Sequence, residues 1–168
     1  KKISECSDWG GFLGNGARFY LDVHHPEYCT PECRSPLDLV AHDKAGDEIM
    51  REALRIFGGG ALGRKFEVVL HKNNSDGYGS SYGSHLNVSM SRELVATRSD
   101  YIYFIEHYVP FQIARMILIG GGKFGFENES PRCEFQISQR ADFFCCLYSQ
   151  NTVHSRPIFN LRDEPHAD

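Results

Sequence analysis

The residues best suited to chemistry lie in one short stretch that brings together a phenol and two carboxylates. Arg18–Val23 is aromatic and β-branched and follows the glycine-rich turn Gly14–Gly16, which predicts a strand. Tyr20 and Asp22 would share one face of it, because side chains two apart point the same way. Glu27 follows in a predicted His-Pro-Glu turn close behind the strand end. Their oxygen atoms suit magnesium, but the same pattern also fits solvated charges at a strand end.

A second candidate is the polar, glycine-rich stretch from Lys72 to His85. It is too long for a hairpin turn, and loops of that length in compact domains are usually functional or disordered. Its glycines would let the backbone approach a ligand, its amides could hold carboxylate or phosphate, and His85 could bind a metal. The same composition also fits an ordinary polar surface loop.

The third candidate is the segment Arg156–His166, which joins a short apolar strand to an acidic end with a histidine. Arg162 could neutralise charge on a transferring phosphoryl group, and Glu164 or His166 could bind a metal. A salt-bridged surface strand would have the same composition.

The cysteines do not indicate a zinc site or a disulfide framework. His24, His25, Cys29 and Cys33 are close in sequence, but their spacing differs from the paired ligands of common zinc sites. The chain shows no secretory signal, and Cys145–Cys146 lies in an apolar, strand-like run. Reduced thiols that act as small hydrophobic residues are the favoured interpretation.

Composition predicts a soluble cytosolic protein with neither nucleic acid nor a membrane as partner. A net charge of −4 and a pI near 6.1 provide no basic footprint for nucleic acid. No run approaches the roughly 18 to 20 apolar residues of a membrane span. With 41% hydrophobic residues the chain should pack one domain with a core.

The remaining elements predict an α+β fold. Ser35-Pro36 provides an N-cap and a first-turn proline for a helix that continues to Phe57 and ends at Gly58–Gly60. Tyr101–Ile119 has an apolar helical pattern interrupted by Pro110, which indicates a buried kinked helix or two helices. The other extended segments are predicted at Phe66–His71, His85–Met90, Glu134–Ser138 and Arg156–Leu161. The absence of regular βαβ alternation favours an antiparallel sheet.

In order along the chain, several motifs resemble the Pup ligase and depupylase family, relatives of glutamine synthetase. The matching pieces are Asn15–Asp22, His25–Tyr28, Thr30–Cys33, His42–Gly46, Lys72–Gly77, Ser81–His85, Ser138–Arg140 and Asn160–Asp168. The resemblance implies a glutamine-synthetase-like antiparallel sheet with helices packed on one face. It also implies that residues 1–168 are the central part of an incomplete catalytic domain, without the family's N-terminal Glu-x-Glu strand and its C-terminal domain.

This resemblance implies a site for ATP and Mg²⁺ around one catalytic carboxylate. The roles that it assigns are Asp22 as that carboxylate, Tyr20 and Glu27 as ligands of one magnesium ion, His85 and His166 as ligands of a second, and Arg18, Thr30 and Arg162 as nucleotide contacts. The partners that it implies are Pup, a small modifier, and pupylated proteins, together with the missing segments of the same domain.

The resemblance leaves the reaction open between two family branches. The spacing of Asp22 and Glu27, together with Ser35–Asp38 and Asn74–Gly77, resembles the depupylase, which hydrolyses the isopeptide or a C-terminal glutamine amide of Pup. Tyr28–Pro31 and Ser155–Ile158 resemble the ligase, which forms that isopeptide with ATP. We expect the depupylase. A non-catalytic Pup-binding relative is the alternative from another class, since Leu86 replaces the glutamate that usually follows the family histidine.

Overall fold

The computed structural model describes residues 10–22, 25–61, 63–151 and 156–161. The chain forms two compact units, Lys1–Leu70 and His71–Asp168, each with its own sheet and long helix. In the described part of the chain, no helix is both long and apolar enough to span a membrane. The strands and long helices are β1 (Gly10–Phe12), β2 (Arg18–Asp22), β3 (His25–Cys29), α1 (Pro36–Gly59), α2 (Arg98–Ile119), β4 (Lys123–Phe124), β5 (Phe135–Gln136), β6 (Cys146–Ser149) and β7 (Pro157–Asn160).

The first unit is built on the antiparallel sheet β1-β2-β3. A tight turn joins β1 to β2: the backbone N–H of Leu13 donates to the Ala17 carbonyl at 2.7 Å, and the Asn15 side chain accepts from the Ala17 N–H at 3.1 Å. Gly16 takes a φ of +82°, which L residues rarely adopt. This turn sets the position at which the predicted strand β2 begins.

Helix α1 covers the apolar face of this sheet. The Ser35 hydroxyl accepts from the Asp38 N–H at 3.1 Å and Pro36 opens the helix, as the sequence predicts. Side chains of the sheet, the helix and the segment after it enclose an open cavity of about 210 Å³, lined by Phe19, Pro26, Met50, Ala53, Leu54, Phe57, Val68 and Leu70. Because strand side chains alternate, the polar residues of β2 lie on the opposite face.

Gly46 on α1 packs directly against the ring of Tyr28 on β3. A Cβ placed there would lie 2.4 Å from Cδ1 of Tyr28, so the Gly46→Ala variant must displace that ring. We expect it to lower the free energy of unfolding by about 1 to 3 kcal/mol, as overpacking does. Gly58→Ala, in open space on the same helix, should raise it by about 0.5 to 1 kcal/mol. Urea unfolding of both variants checks this, and equal midpoints would contradict the tight contact.

In the second unit, α2 is one continuous helix that includes Pro110. The Thr97 hydroxyl and the Asp100 carboxylate form a reciprocal capping box at its start. The alternative of two helices is therefore wrong. The expectation of a buried helix is also wrong for most of its length, since its buried residues are Ile105, Val109 and Gln112.

Aromatic contacts join α2 to the C-terminal strand of the same unit. The Phe159 ring centroid on β7 lies 5.2 Å from that of Tyr108 and 5.9 Å from that of Phe104. Strand β7 pairs in parallel with β6, whereas the β4-β5 pair is antiparallel. The unit is therefore a mixed α+β structure with one parallel pair.

Two predicted extended segments are not strands. Phe66–His71 and His85–Met90 have no regular secondary structure, although their composition favours β structure. A strand requires a neighbour for its backbone N–H and C=O groups, and no described segment pairs with either one. Val68 and Leu70 instead line the cavity beside α1.

Candidate functional site

The polar face of the first sheet brings Tyr20 and Glu27 into direct contact. The two residues are cross-strand partners in the antiparallel pair β2-β3, so their side chains share a face. The Tyr20 hydroxyl donates to Oε2 of Glu27 at 2.6 Å. Both side chains are partly buried. The two oxygen groups converge as the sequence predicts, but Glu27 lies in strand β3 and not in the predicted His-Pro-Glu turn.

Arg18 and Asp22 flank that pair on the same strand. The Arg18 guanidinium carbon lies 4.4 Å from the centre of the Tyr20 ring, a cation–π contact. Asp22 is exposed at the end of β2, opposite His25. Because residues 18, 20 and 22 alternate with apolar ones, they form a polar row that ends in an exposed carboxylate.

The pKa of the Tyr20 phenol is raised above its usual value. Burial is the largest cause, and the hydrogen bonds with Glu27 and Cys29 add to it. The phenol therefore stays protonated at neutral pH and serves as a hydrogen-bond donor. Toward a cation it would offer a neutral oxygen.

The donor chemistry of this face fits part of a magnesium site. Tyr20, Asp22 and Glu27 offer phenol and carboxylate oxygens, which hard divalent cations prefer. Among the residues that the structure describes, no group of three or more His, Cys, Asp or Glu side chains could hold a metal ion. These residues therefore form an incomplete shell that needs further oxygen ligands from a nucleotide, from water or from other protein segments.

The two cysteines near this face are free thiols that contact oxygen atoms. Cys29 contacts the Tyr20 hydroxyl at 3.7 Å between sulfur and oxygen, whereas Cys33 donates to the Pro31 carbonyl at 3.2 Å. Each thiol thus has its own oxygen partner. His24, the other residue considered for zinc, lies outside the described residues.

The other residues assigned by resemblance are placed only in part. Thr30 directly follows β3 and is half-buried. His85 is exposed in the second unit, where its ring lies over Gly83: a Cβ on that glycine would be 2.8 Å from Nε2 of the histidine. Arg162 and His166 lie outside the described residues.

The glycine-rich loop before His85 is a folded turn in this structure. An isolated antiparallel bridge joins Ser75 to Ser81, and the Tyr82 N–H donates to the Asn74 carbonyl at 3.0 Å. Inside the turn the Asp76 carboxylate accepts from the N–H groups of residues 78 and 80 at 2.8 and 3.0 Å. Some of the loop N–H groups that were predicted to hold a ligand therefore already donate to other groups of the loop.

A charged cluster of Lys123, Glu127 and Asp142 lies beneath this loop, and we call it the acid–lysine cluster. The Lys123 ammonium contacts Oε2 of Glu127 at 2.5 Å and Oδ2 of Asp142 at 2.7 Å. The three side chains are only 11%, 9% and 5% exposed. Gln136 donates to the same Asp142 oxygen at 2.7 Å, so the carboxylates are held in a hydrogen-bonded and nearly dry environment.

The acid–lysine cluster makes stability depend on pH. Burial raises the pKa of the Glu127 carboxyl, but hydrogen bonds from Lys123 and Ser75 outweigh burial and leave that pKa below its usual value. A carboxyl with a lowered folded-state pKa stabilises the protein above its unfolded-state pKa, here 4.5, and loses that contribution as pH falls through the folded-state value. Burial also raises the pKa of Asp142, but hydrogen bonds from Lys123 and Gln136 outweigh it and leave that pKa below its usual value.

We therefore expect the stability gap between the wild type and Glu127→Gln to be full near neutral pH and to shrink as pH falls below about 4.5. Urea unfolding midpoints of the two proteins across this range measure the gap. A gap that stays constant down to about pH 3 would contradict the assignment of an ionised Glu127. At alkaline pH the ammonium of Lys123 matters instead. Its pKa is raised above the usual 10.5, so its contribution to the free energy of unfolding is lost only as pH rises above 10.5.

Sequence reasoning did not find this cluster. Its members lie in short irregular segments without periodicity, and the Glu127 to Ser75 hydrogen bond spans 52 positions in the chain. The Ser138–Arg140 motif was the sequence feature that pointed to this region, because two of its residues bind the loop. Gln139 accepts from the Asn74 N–H at 2.7 Å, and Arg140 donates to the Ser81 hydroxyl at 2.9 Å. Burial, and secondarily Arg156, lowers the pKa of Arg140.

Comparison with known proteins gives matches over nearly the whole chain. Residues 2–168 match the family described as Pup-ligase protein. The depupylase of Acidothermus cellulolyticus is 44% identical over 156 residues, which is 93% of this chain and 30% of that protein. The Pup–protein ligase of Nocardioides sp. is 43% identical over 164 residues, which is 94% of this chain and 34% of that protein.

A solved structure shows the same fold. The Pup ligase PafA in complex with ADP superposes with a TM-score of 0.69 and 35% identity, over 98% of this chain and 35% of that one. The chain thus spans about a third of the length of these relatives. Relatives of similar identity carry both names, so overall similarity does not separate the two activities.

Proposed function

Because the chain belongs to the Pup-ligase protein family and has its glutamine-synthetase-like fold, we propose that it forms part of an ATP–magnesium site that hydrolyses bonds at the last residue of Pup. The bonds are the isopeptide that links Pup to a lysine, or the side-chain amide of a C-terminal glutamine. The partners are accordingly Pup and pupylated proteins in the cytoplasm. Residues 1–168 would be the central part of the catalytic domain.

The observation that supports this proposal is the polar row on β2 and β3. The hydrogen-bonded oxygens of Tyr20 and Glu27 are partly buried and suit a magnesium ion, while Asp22 stands exposed at the strand end. A metal bound there would neutralise phosphate charge and stabilise negative charge that develops on a carbonyl oxygen. An exposed carboxylate beside such a site is free to meet a substrate.

In this proposal Asp22 acts on the scissile carbonyl of the substrate. Its carboxylate accepts the proton of the water that attacks that carbonyl, or attacks the carbonyl itself to form an acyl intermediate that water then hydrolyses. On either route the C–N bond breaks, and the lysine amine, or ammonia from a glutamine amide, leaves with a proton. Arg18 lies beside Tyr20 and presents positive charge to the nucleotide phosphates. Thr30 and Arg162 complete the nucleotide contacts, and His85 and His166 provide ligands for a second magnesium ion.

The spacing of Asp22 and Glu27 favours the depupylase branch. Five positions separate Asp22 from Glu27, as in the depupylase pattern, and this spacing accompanies direct pairing of Tyr20 with Glu27. The ligase pattern usually has one residue more between these positions, which would change the connection between β2 and β3.

The ligase is the second candidate, and specific observations favour it. Tyr28–Pro31 and Ser155–Ile158 resemble the ligase pattern, and the superposed PafA structure is that of a Pup ligase. The ligase reaction would use the same residues, with Asp22 accepting a proton from the incoming lysine amine. Leu86 favours instead a non-catalytic Pup-binding relative, because it replaces the usual acidic residue next to His85.

One assay separates the three candidates. Full-length protein is incubated with ATP and Mg²⁺, and with either a Pup conjugate or free Pup plus a lysine substrate. The proposal predicts release of free Pup from the conjugate. Formation of a new conjugate without cleavage would identify a ligase, and Pup binding without either reaction would identify a non-catalytic relative.

A further inference from the structure

The acid–lysine cluster has no role in the proposed reaction, yet it contacts the loop that leads to His85 at two points. Oε1 of Glu127 accepts from the Gly79 N–H at 2.9 Å, and Oε2 accepts from the Ser75 hydroxyl. The same carboxylate therefore holds the start and the tip of the turn. Lys123 fixes the carboxylate from the other side.

Asp142 links this contact to a second one. Its carboxylate accepts from the backbone N–H of Glu127 at 2.8 Å and from Gln136 at 2.7 Å. It also lies in the short helical turn Ala141–Phe143, which directly follows Gln139 and Arg140, the two residues that bind the loop at Asn74 and Ser81. One buried charge cluster thus orients both groups of side chains that hold the loop.

The loop ends close to His85. Two hydrogen bonds join the backbone of Tyr82 to Asn74. The Tyr82 N–H donates to the backbone carbonyl of Asn74, and the Tyr82 carbonyl accepts from the side-chain amide of Asn74 at 3.0 Å. The imidazole of His85 then lies over Gly83. A shift of the turn would therefore move the backbone that carries this histidine.

We infer that Lys123, Glu127 and Asp142 are positioning residues that hold the turn Asn74–Tyr82 and thereby the place of His85. The burial of three charges supports this role. A buried ionic cluster seldom stabilises a fold more than apolar packing would, so its presence here favours a role in holding the turn in place. The part of the inference that concerns metal binding by His85 rests on the proposed function.

The test is amide hydrogen exchange in the full-length protein, which requires no activity. In Glu127→Gln the charged acceptor is lost, and exchange at Gly79 and Tyr82 should accelerate at least about tenfold, the effect of losing a hydrogen bond to a charged group. Exchange in α2 should accelerate less than in the turn, by no more than the loss of unfolding free energy accounts for. Glu129→Gln, the same change at an exposed position two residues away, should leave both regions as in the wild type.

Ser75→Ala provides a second variant, which removes the hydroxyl contact with Glu127 and the hydrogen bond that the same hydroxyl accepts from the Gly77 N–H at 3.0 Å, without unbalancing the buried charges. It carries the test if Glu127→Gln does not fold. It should accelerate exchange at Gly79 while the unfolding midpoint stays close to that of the wild type. Unchanged exchange at Gly79 in the folded variants would overturn the inference. Equal acceleration in the turn and in α2 would also overturn it, because the cluster would then be a general support of the fold.

A second readout links the turn to the metal. In Glu127→Gln the Mg²⁺ concentration for half-maximal activity should rise about 10- to 100-fold, the usual cost of losing a residue that orients a metal ligand, with turnover restored at saturating Mg²⁺. A lower turnover at saturating Mg²⁺ without a change in that concentration would contradict a positioning role. Because the exchange measurement is independent of turnover, a protein with accelerated exchange but no activity toward Pup would refute only the proposed function.

Discussion

Replacing Asp22 with Asn in the full-length protein should lower cleavage of a Pup conjugate by at least about 100-fold, within the range attributed to general acid–base catalysis. Asparagine has nearly the same size as aspartate but can neither accept a proton nor attack a carbonyl at neutral pH. The side chain is exposed at the end of β2, so the change should not disturb the sheet. Nucleotide binding should therefore stay within a few-fold of the wild type, since the charge that Asp22 loses is not a nucleotide contact in this account.

The matched control is Asp38→Asn, because Asp38 is an exposed aspartate in the first turn of α1. It should keep wild-type turnover and lose only a small helix-dipole contribution. Steady-state cleavage and calorimetric titration with ATP and Mg²⁺ measure the two effects separately. Retained cleavage by Asp22→Asn would remove Asp22 from the mechanism.

The second large effect concerns folding. Lys123→Met removes the cation that faces Glu127 and Asp142 and leaves two nearly dry carboxylates side by side. Removing one partner from a buried ionic cluster typically costs about 3 to 5 kcal/mol, because the remaining charges lose their compensation. We expect a decrease of this size in the free energy of unfolding of the unit that contains the cluster.

Lys44→Met is the matched control for this experiment. Lys44 also contacts a carboxylate, that of Asp47 at 3.3 Å, but its side chain is 69% exposed. Exposed ion pairs contribute at most about 1 kcal/mol, so this variant should unfold at nearly the wild-type urea concentration. Equal unfolding midpoints for the two lysine variants would show that the buried cluster contributes no more than a surface pair.

The parts of the fold that depend on nearby residues could be predicted from the sequence. Helix α1 begins at its Ser35-Pro36 cap and ends at its glycines because those signals act within one turn. The sequence also indicates that Tyr20 and Glu27 converge, but through a His-Pro-Glu turn, whereas that segment is the edge strand β3, a position at which proline is tolerated.

The parts that depend on distant partners could not be predicted. Phe66–His71 has strand composition but no paired neighbour in the described chain, and composition alone cannot provide one. The acid–lysine cluster could not be predicted for a related reason. In the sequence Lys123 and Glu127 resemble ordinary surface charges, and only the fold places Asp142 in contact with Lys123. Local patterns thus identified the sheet face but not the network under the loop.

In the proposed function, the oxygen atoms on the β2-β3 face hold a divalent metal with nucleotide. The most direct measurement is a titration of full-length protein and ADP with Mn²⁺, a paramagnetic substitute for Mg²⁺, followed by electron paramagnetic resonance. Glu27→Gln should weaken Mn²⁺ binding at least about tenfold, because it removes a charged oxygen ligand. Glu48→Gln, at an exposed position on α1, should bind Mn²⁺ as the wild type does. Equal Mn²⁺ affinity for wild type and Glu27→Gln would contradict the account.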